Sequence, residues 1–516
     1  MSEAPKEIPA ALAPVVDMTP AVEVAPQGMV STTPLPLHVH GGAACAAPQA
    51  AASAQPLGYM PPQDDHRALR TSRLKWSILT SLLTKPLAFV APIITVPLFL
   101  KYLGADRYGL FESIGALTVW LTLTNAGLTL GLINKLTDCH VSGDRETARR
   151  YVTSLMFVLL GSTLVVSLLV TLIVPTVNWS AVFRSDSVLG RRETPWAVWA
   201  ASLATVWGLL VSVPQAIYAG YQENHRNNIW DGISKAVTLI ACIAVVRTSW
   251  GLVGVILAAA GSAVLIRTIN ILVLFTWEKP WLLPLPRYFD RALLLGTMKQ
   301  GVGLFVIASS ALGIFQADKL VISHFVGADA VAQYSIIGRP FMLVFGVYSM
   351  VLSPLWPAHG EALRRGDVDW ARRALLMSMT FGWLAMLACG TVMFFFGDLV
   401  LRVWRVHGIA VSHSLVLAMT AVFVLWTWMT SISVLLNSAN VLRAQMWFIG
   451  LHALLNVIVA CLVAPRYGTN GVAWSISLTG IVTSAWGYPW MLRRYVLRPA
   501  RGAAPAAAAN VAGALA

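Results

Sequence analysis

A few ionisable side chains interrupt the apolar segments of this 516-residue sequence, and any binding chemistry would depend on them. A charged side chain at the centre of a bilayer costs roughly 2.5–3.5 kcal/mol by insertion scales, so each one should face protein or a water-filled cavity. Guanidinium and ammonium groups suit anionic ligands such as phosphate, whereas an intramembrane carboxylate can carry a proton or coordinate sodium. The cations are Lys85, Lys235, Arg267 and Arg339, and the acids are Glu112, Asp231 and Asp318.

Two of the cations stand directly before a proline. Lys85 precedes Pro86 in the first apolar segment, and Arg339 precedes Pro340 in the eighth. Proline frees a backbone carbonyl one turn earlier, which bends the helix and helps to line a polar cavity. Lys85 and Arg339 are therefore the strongest candidates for a cationic binding cavity. The alternatives are structural ion pairs between helices and snorkelling to the membrane surface.

The other two cations are weaker candidates for substrate binding. Lys235 follows Asp231 at the i,i+4 spacing of a helical ion pair, so the two charges can neutralise each other. Arg267 lies nearer the predicted inner end of its segment, where it can reach the lipid headgroups.

Carboxylates in the apolar segments are candidates for ion coupling. Glu112 opens the second segment, Asp318 lies near the outer end of the seventh, and Asp231 is a third candidate. For Asp318 the alternative is a local salt bridge with the adjacent Lys319. The four cations outnumber these acids, which favours an anionic ligand.

The sequence offers no enzymatic or metal-binding motif. Five cysteines stand far apart without paired spacing, and the ten histidines form no HExxH or clustered ligand pattern. The longest predicted outer loop, around 176–195, is short for a catalytic domain. We therefore expect no catalytic residues, no metal and no cofactor.

The elements that must position these residues are transmembrane helices. Hydrophobic residues make up 57% of the chain and charged residues 12%, and the mean hydropathy is +0.68. Because about 20 apolar residues span the roughly 30 Å of hydrocarbon, these values predict an all-α polytopic membrane protein. Twelve spans are predicted, at 76–100, 109–133, 152–175, 197–220, 229–248, 252–276, 296–322, 331–356, 374–397, 414–437, 445–464 and 470–492.

Lysine and arginine placement predicts the orientation. About twice as many basic residues flank one side of the spans as the other, which places both termini in the cytoplasm. The net charge of +14 is then a topology signal and gives no reason to expect nucleic-acid binding. Low-complexity composition predicts disordered tails at 1–70 and 496–516, flanking six-helix lobes at 71–285 and 286–495.

The two predicted lobes carry matching residues at equivalent places. Gly-Ala-Asp occurs at 104–106 and again at 327–329, each time in the first outer loop of a lobe. Trp230, Gly251 and Gly254 correspond in the same way to Trp447, Gly468 and Gly471. Each lobe has six spans, an even number, so both lobes enter the membrane from the same side. The two repeats are therefore parallel. Transporters with such repeats hold their substrate between them near the midplane.

Three stretches resemble the Wzx-type O-antigen flippases, which belong to the superfamily of multidrug, oligosaccharidyl-lipid and polysaccharide exporters. They are LKYLGADRYGLF at 100–111, QADKLVISHFVG at 316–327 and LVAPRYGTNGVAW at 462–474. The resemblance implies a V-shaped pair of six-helix lobes in the cell inner membrane. It also implies translocation of an undecaprenyl-diphosphate-linked oligosaccharide for surface polysaccharide biosynthesis, among membrane lipids and alongside the polysaccharide polymerase machinery. On this view Lys85 and Arg339 bind the diphosphate.

Three rival functions follow from the same pattern. A cation-coupled multidrug exporter of the same superfamily would need an acidic, apolar cavity, which the surplus of cations disfavours. A peptidoglycan-precursor flippase would be expected to have fourteen helices. A membrane enzyme acting on lipid-linked sugars would be expected to carry a large outer loop with catalytic groups.

Overall fold

The computed structural model describes residues 63–497, except 126, 127, 186 and 440. Within this part of the chain the secondary structure is helical. The α-helices are α1 Gln63–Val119, α2 Leu128–Ser142, α3 Arg145–Ile173, α4 Trp179–Val182, α5 Val188–Leu210, α6 Val213–Gly220, α7 Asn224–Val245, α8 Gly251–Ile256, α9 Ser262–Val273, α10 Arg291–Phe325, α11 Ala328–Leu352, α12 Leu355–Arg364, α13 Val368–Val403, α14 His413–Ser438 and α15 Leu442–Met491. Short 3-10 or π segments extend several of them, including Leu257–Gly261 between α8 and α9.

Nine stretches of the described chain are long and apolar enough to cross a membrane. Two of them, Phe89–Leu123 and Leu442–Val496, are each divided into two helices by a non-helical residue, Gly104 and Gly468. The helix α10 is also long enough to cross. The described residues thus supply twelve helical passes, and the predicted all-α polytopic membrane architecture is confirmed. The second pass restarts directly after Gly104 and continues through α2, so it is longer than the predicted 109–133.

The outer surface of the helices is apolar. On α3, Leu164, Leu168 and Leu172 are half or more exposed, and Phe395 and Leu399 on α13 are similarly exposed. A water-soluble protein rarely exposes such continuous apolar surface. Lipid is therefore the solvent that these side chains require, as expected from the composition.

The repeated glycines have a shared backbone role. Gly104 (φ 78°) and Gly327 (φ 136°) have positive φ, and so do Gly251 (φ 60°) and Gly468 (φ 56°). L-residues with a side chain rarely adopt this conformation. The matching glycines therefore mark equivalent helix junctions in the two halves of the chain, which we define as the described residues before and after position 286.

Polar side chains cap the N-termini of several helices. The side chains of Asp144 and Ser187 accept hydrogen bonds from the backbone amides of Thr147 and Gly190, at 2.9 and 3.1 Å. Asp367 does the same for the amide of Trp370, at 3.0 Å. These bonds satisfy amides that have no partner within the helix.

The two halves share a hydrophobic core at the end of the bundle that carries Gly104 and Gly327, which we call the Gly104 end. That core contains Leu110 and Ile114 of α1 together with Ala332 and Ile336 of α11. At the opposite end, the described core residues form separate clusters, one within each half. Among the described core residues, those of both halves therefore pack into one cluster at the Gly104 end.

Backbone hydrogen bonds also join the halves at this end. The amide of Arg184 donates to the carbonyl of Ser323 at 3.1 Å, and the amide of Ala328 donates to the carbonyl of Arg184 at 2.9 Å. The indole N–H of Trp404 donates to the carbonyl of Ile93 at 2.7 Å. Pro97 cannot donate to that carbonyl, so Trp404 satisfies a group that the proline leaves free. The segment around Arg184 thus covers the junction between α10 and α11.

The predicted tails and lobe boundaries can be placed only in part. Residues 1–62 and 498–516 lie outside the described residues, so the predicted disorder of both tails stays a prediction. Within the stretch assigned to the N-terminal tail, α1 already begins at Gln63, and the π segment Leu492–Leu497 extends past the predicted start of the C-terminal tail. The division into lobes at 285 also stays a prediction.

A pair of glycine substitutions tests the contact between α1 and α11. A Cβ atom at Gly109 would overlap the carbonyl of Ala328, whereas one at Gly115 on the same helix would meet nothing within 4 Å. We expect Gly109→Ala to destabilise the protein by about 1–3 kcal/mol through overpacking. Gly115→Ala should stabilise it slightly, because alanine favours a helix by about 0.8–1.0 kcal/mol over glycine.

Thermal unfolding of the two purified variants in detergent provides the measurement. A lower midpoint for Gly109→Ala and an equal or higher midpoint for Gly115→Ala is the expected result. Equal shifts in the two variants would contradict the close approach of the two halves.

Candidate functional site

One buried carboxylate joins the two halves through ion pairs. Glu112 on α1 is 5% exposed, and its Oε2 accepts a hydrogen bond from the Lys319 ammonium of α10 at 2.7 Å. Its Oε1 accepts from the Arg339 guanidinium of α11 and from the Tyr108 hydroxyl, the latter at 3.0 Å. These four residues form what we call the inter-half cluster. Every ion pair that joins the halves within the described residues uses Glu112.

Helix geometry places Glu112 and Lys319 at similar depths. Gly104 breaks α1, and at a rise of about 1.5 Å per residue Glu112 lies about 12 Å further along it. Lys319 precedes Gly327 by the same distance, about 12 Å along α10. The matching glycines of the repeat therefore bring the acid and the base to the same level.

The inter-half cluster borders a cavity of about 320 Å³. The cations are partly accessible, at 20% for the Lys319 side chain and 31% for that of Arg339, whereas the carboxylate of Glu112 is buried. Thr118, Thr205 and Gln316 add hydroxyl and amide groups to the lining. With two cations and one carboxylate, this part of the cavity suits an anionic ligand that also carries hydroxyl groups.

A second buried carboxylate lies within the C-terminal half. Asp318 is fully buried, and its two oxygens accept hydrogen bonds from the Tyr334 hydroxyl at 3.1 Å and the Asn456 amide at 2.9 Å. The carbonyl oxygen of Asn456 accepts in turn from the Ser475 hydroxyl at 2.9 Å. No described cation forms an ion pair with Asp318. The expected alternative, a salt bridge with Lys319, is wrong, because Lys319 points to Glu112.

The remaining predicted residues lie apart from the inter-half cluster. Lys235 and Asp231 form the ion pair expected from their spacing, and both are partly exposed. Arg267 is half-buried in α9 and forms no ion pair with another described residue. Lys85 lies in α1, but its side chain is outside the part that the structure describes. Arg339 is thus the predicted cation that the structure brings to Glu112.

Lys319 is the cation of the cluster that sequence reasoning missed, since it entered only as an alternative partner for Asp318. Its position next to Asp318 suggested a local pair, but consecutive residues on a helix point about 100° apart. A signal was available in the repeat, since Lys319 and Glu112 stand equally far from the matching glycines Gly327 and Gly104.

A second, larger concavity lies on the other side of α11. A groove of about 1270 Å³ runs between α1, α11 and α13, with Ile94, Pro340 and Leu399 on its walls. Lys101 and Arg405 stand at its end toward Gly104. Arg339 and Pro340 are consecutive, so α11 presents a cation to the inner cavity and an apolar residue to the groove.

Comparison with known proteins identifies relatives along most of the chain. The family described as polysaccharide biosynthesis proteins matches residues 74–362. A protein of Salmonella typhi, named as an O-antigen transporter, is 21% identical over 434 residues, which cover 82% of this chain and 97% of that protein. A protein of Yersinia pseudotuberculosis, named as an O-antigen export protein, is 19% identical over 408 residues, which cover 78% of this chain and 92% of that one.

Solved structures of transporters share the fold. A multidrug resistance MATE family transporter of the MOP superfamily, in an inward-facing conformation, superposes with a TM-score of 0.62 at 16% identity, covering 82% of this chain and 97% of that one. The lipid II flippase MurJ, in an inward closed conformation, gives a TM-score of 0.59 at 16% identity, covering 81% of this chain and 87% of that one. At these identities the likeness is evidence for the fold alone.

These matches confirm the resemblance to the Wzx-type flippases that the three sequence blocks suggested. The matched family spans more than half of the chain, and the relatives of similar length are named for O-antigen transport or export. The chain is a multi-pass membrane protein that belongs to the polysaccharide biosynthesis protein family.

Proposed function

We propose that the protein is a flippase that carries an undecaprenyl-diphosphate-linked oligosaccharide across the inner membrane for surface polysaccharide biosynthesis. The observation that carries this proposal is the pair of cations, Lys319 and Arg339, on a cavity at the boundary of the halves. Membership of the polysaccharide biosynthesis family supports the same conclusion. The relatives named for O-antigen transport and export indicate the class of cargo.

The chemistry of such a substrate fits the two concavities. A diphosphate bears about two negative charges, which guanidinium and ammonium groups can bind through charge-assisted hydrogen bonds. The hydroxyl and amide groups of the cavity suit sugar hydroxyls. The apolar groove between α1, α11 and α13 offers a place for the prenyl chain while the head group is inside. We also propose that Lys85 of α1 contributes a further cation for binding the diphosphate.

Transport then proceeds by alternating access and needs no covalent step. The shared core and the bonds around Arg184 close the Gly104 end in the present conformation. Opening that end while closing the other moves the site from one leaflet to the other. We place both termini in the cytoplasm, so that the Gly104 end faces the periplasm.

Asp318 supplies the ion-coupling site in this proposal. Its carboxylate is fully buried and its oxygens face the Tyr334 hydroxyl and the Asn456 amide. A carboxylate in such a place can take up a proton or a sodium ion. A multidrug exporter of the same superfamily is the competing function, but a cavity with two cations is a poor site for cationic drugs.

A deletion strain complemented with charge-neutral variants tests the cargo and the site together. Without the gene, completed lipid-linked repeat units should remain on the cytoplasmic leaflet and surface polymer should be lost. Arg339→Gln and Lys319→Gln should restore polymer about 10- to 100-fold less efficiently than the parent chain, because a hydrogen bond to a charged group contributes about 1.5–3 kcal/mol.

The matched control is Arg365→Gln at equal expression. Arg365 is exposed and pairs with Glu361 on α12, remote from the inter-half cluster. It should restore polymer fully. Normal polymer in the deletion strain, together with altered sensitivity to cationic drugs, would contradict the flippase assignment and favour the exporter.

Asp318→Asn should separate binding from energy coupling. The asparagine amide keeps the shape of the side chain, but it carries no negative charge with which to bind a proton or a sodium ion. In proteoliposomes, we expect an imposed proton or sodium gradient to accelerate parent transport but not transport by Asp318→Asn. Asp367→Asn, at the exposed start of α13, is the control that should respond like the parent. A gradient response retained in Asp318→Asn would rule out this coupling site.

A further inference from the structure

Glu112 accepts hydrogen bonds from the two cations of the inter-half cluster, as the oxygens of an anionic ligand would. Each of its oxygens accepts from a different cation, Oε2 from Lys319 at 2.7 Å and Oε1 from Arg339. A phosphate group presents anionic oxygens of the same kind but carries more charge. The carboxylate and a phosphate cannot both hold these cations fully, so they compete.

The same carboxylate also holds the halves together. Glu112 belongs to α1, whereas Lys319 and Arg339 belong to α10 and α11. The described ion pairs that do not use Glu112 stay within one half, such as Arg107 with Glu193 and Lys279 with Glu223. Breaking the bonds of Glu112 therefore removes the ion pairs that join the halves within the described part of the chain.

The layer that covers the cluster lies directly toward the Gly104 end. There the Arg184 segment of the N-terminal half bonds to Ser323 and Ala328 of the C-terminal half. Ser323 lies on α10 one turn beyond Lys319 and is fully buried. A shift of α10 relative to α1 would act on both the ion pairs and this layer.

We propose that Glu112 is an internal competitor for the diphosphate of the substrate, and that its displacement frees the Gly104 end to open. The empty protein is held closed by the bonds from Lys319 and Arg339 to Glu112. A bound diphosphate takes over the two cations and leaves Glu112 with the hydroxyl of Tyr108. Opening toward the periplasm is then coupled to a loaded site, a conclusion that rests on the proposed function.

Two neutral variants with opposite effects on binding test this displacement. Glu112→Gln removes the competitor and keeps both cations, so it should bind inorganic diphosphate at least tenfold more tightly than the parent. Lys319→Gln removes a cation and should bind it at least tenfold more weakly. Both should loosen the Gly104 end. A merely structural role of the cluster would shift binding in the same direction in both variants.

Opening is measured with a cysteine at Ser323 in the purified full chain. Ser323→Cys is nearly isosteric, and the Ser323 hydroxyl has no hydrogen-bond partner among the described residues. A membrane-impermeant maleimide should label this cysteine slowly in the parent, and several-fold faster with diphosphate or in either variant. The parent without Ser323→Cys gives the background from the native cysteines.

Glu193→Gln is the matched control. Glu193 is a second ion-paired glutamate near the Gly104 end, but its partners, Arg107 and the amide of Leu252, lie in its own half. It should change neither labelling nor diphosphate binding. Where Glu112→Gln fails to fold, Glu112→Asp keeps the charge but shortens its reach to both cations, so it should also bind diphosphate more tightly and label faster than the parent.

The outcomes separate this proposal from the flippase assignment. Unchanged labelling and unchanged or weaker diphosphate binding in Glu112→Gln would overturn the displacement, even if the deletion strain loses surface polymer. Faster labelling with tighter binding would support the displacement, even if the deletion strain makes normal polymer and the physiological anion is another one.

Discussion

A carboxylate buried between two cations of the opposite half is the interaction on which the structure depends. Charges in an apolar interior are tolerated when they are paired, and removing one partner of a buried pair costs about 3–5 kcal/mol. Glu112 can be satisfied only while α1 lies beside both α10 and α11. The helix junctions at Gly104 and Gly327 allow α1 to lie this close to α10 and α11. Gly109 also allows it, because it has no side chain.

The described core residues of the two halves meet in one cluster at the Gly104 end. The shared core and the Arg184 segment lie at the Gly104 end, whereas the described cores at the other end belong to single halves. Trp404 adds a hydrogen bond to the carbonyl that Pro97 leaves free on α1. Lipid surrounds an apolar exterior, so polar side chains inside the bundle are concentrated where they find partners. The cavity and the groove then lie on either side of α11.

Much of the fold could be predicted because bilayer thickness and backbone conformation leave clear signals in a sequence. Long apolar segments predicted the twelve passes. Four of the matching glycines proved to be helix junctions with positive φ, namely Gly104, Gly251, Gly327 and Gly468. The pairing of Glu112 with Lys319 could not be predicted from local spacing, because these residues are far apart in the chain. Their meeting depends on how α1 packs against α10. The i,i+4 pair of Asp231 and Lys235, by contrast, follows from helix geometry alone and was found as expected.

In the proposed function, a cationic site between the halves recognises the phosphate of a lipid-linked glycan. The most direct test of this recognition is transbilayer movement of fluorescent polyprenyl-linked sugars in proteoliposomes that contain the purified chain. We expect rapid movement of the diphosphate-linked lipid and slow movement of an uncharged lipid with the same sugar and the same prenyl chain. Equal rates for the two lipids, or rates no faster than in protein-free vesicles, would contradict it.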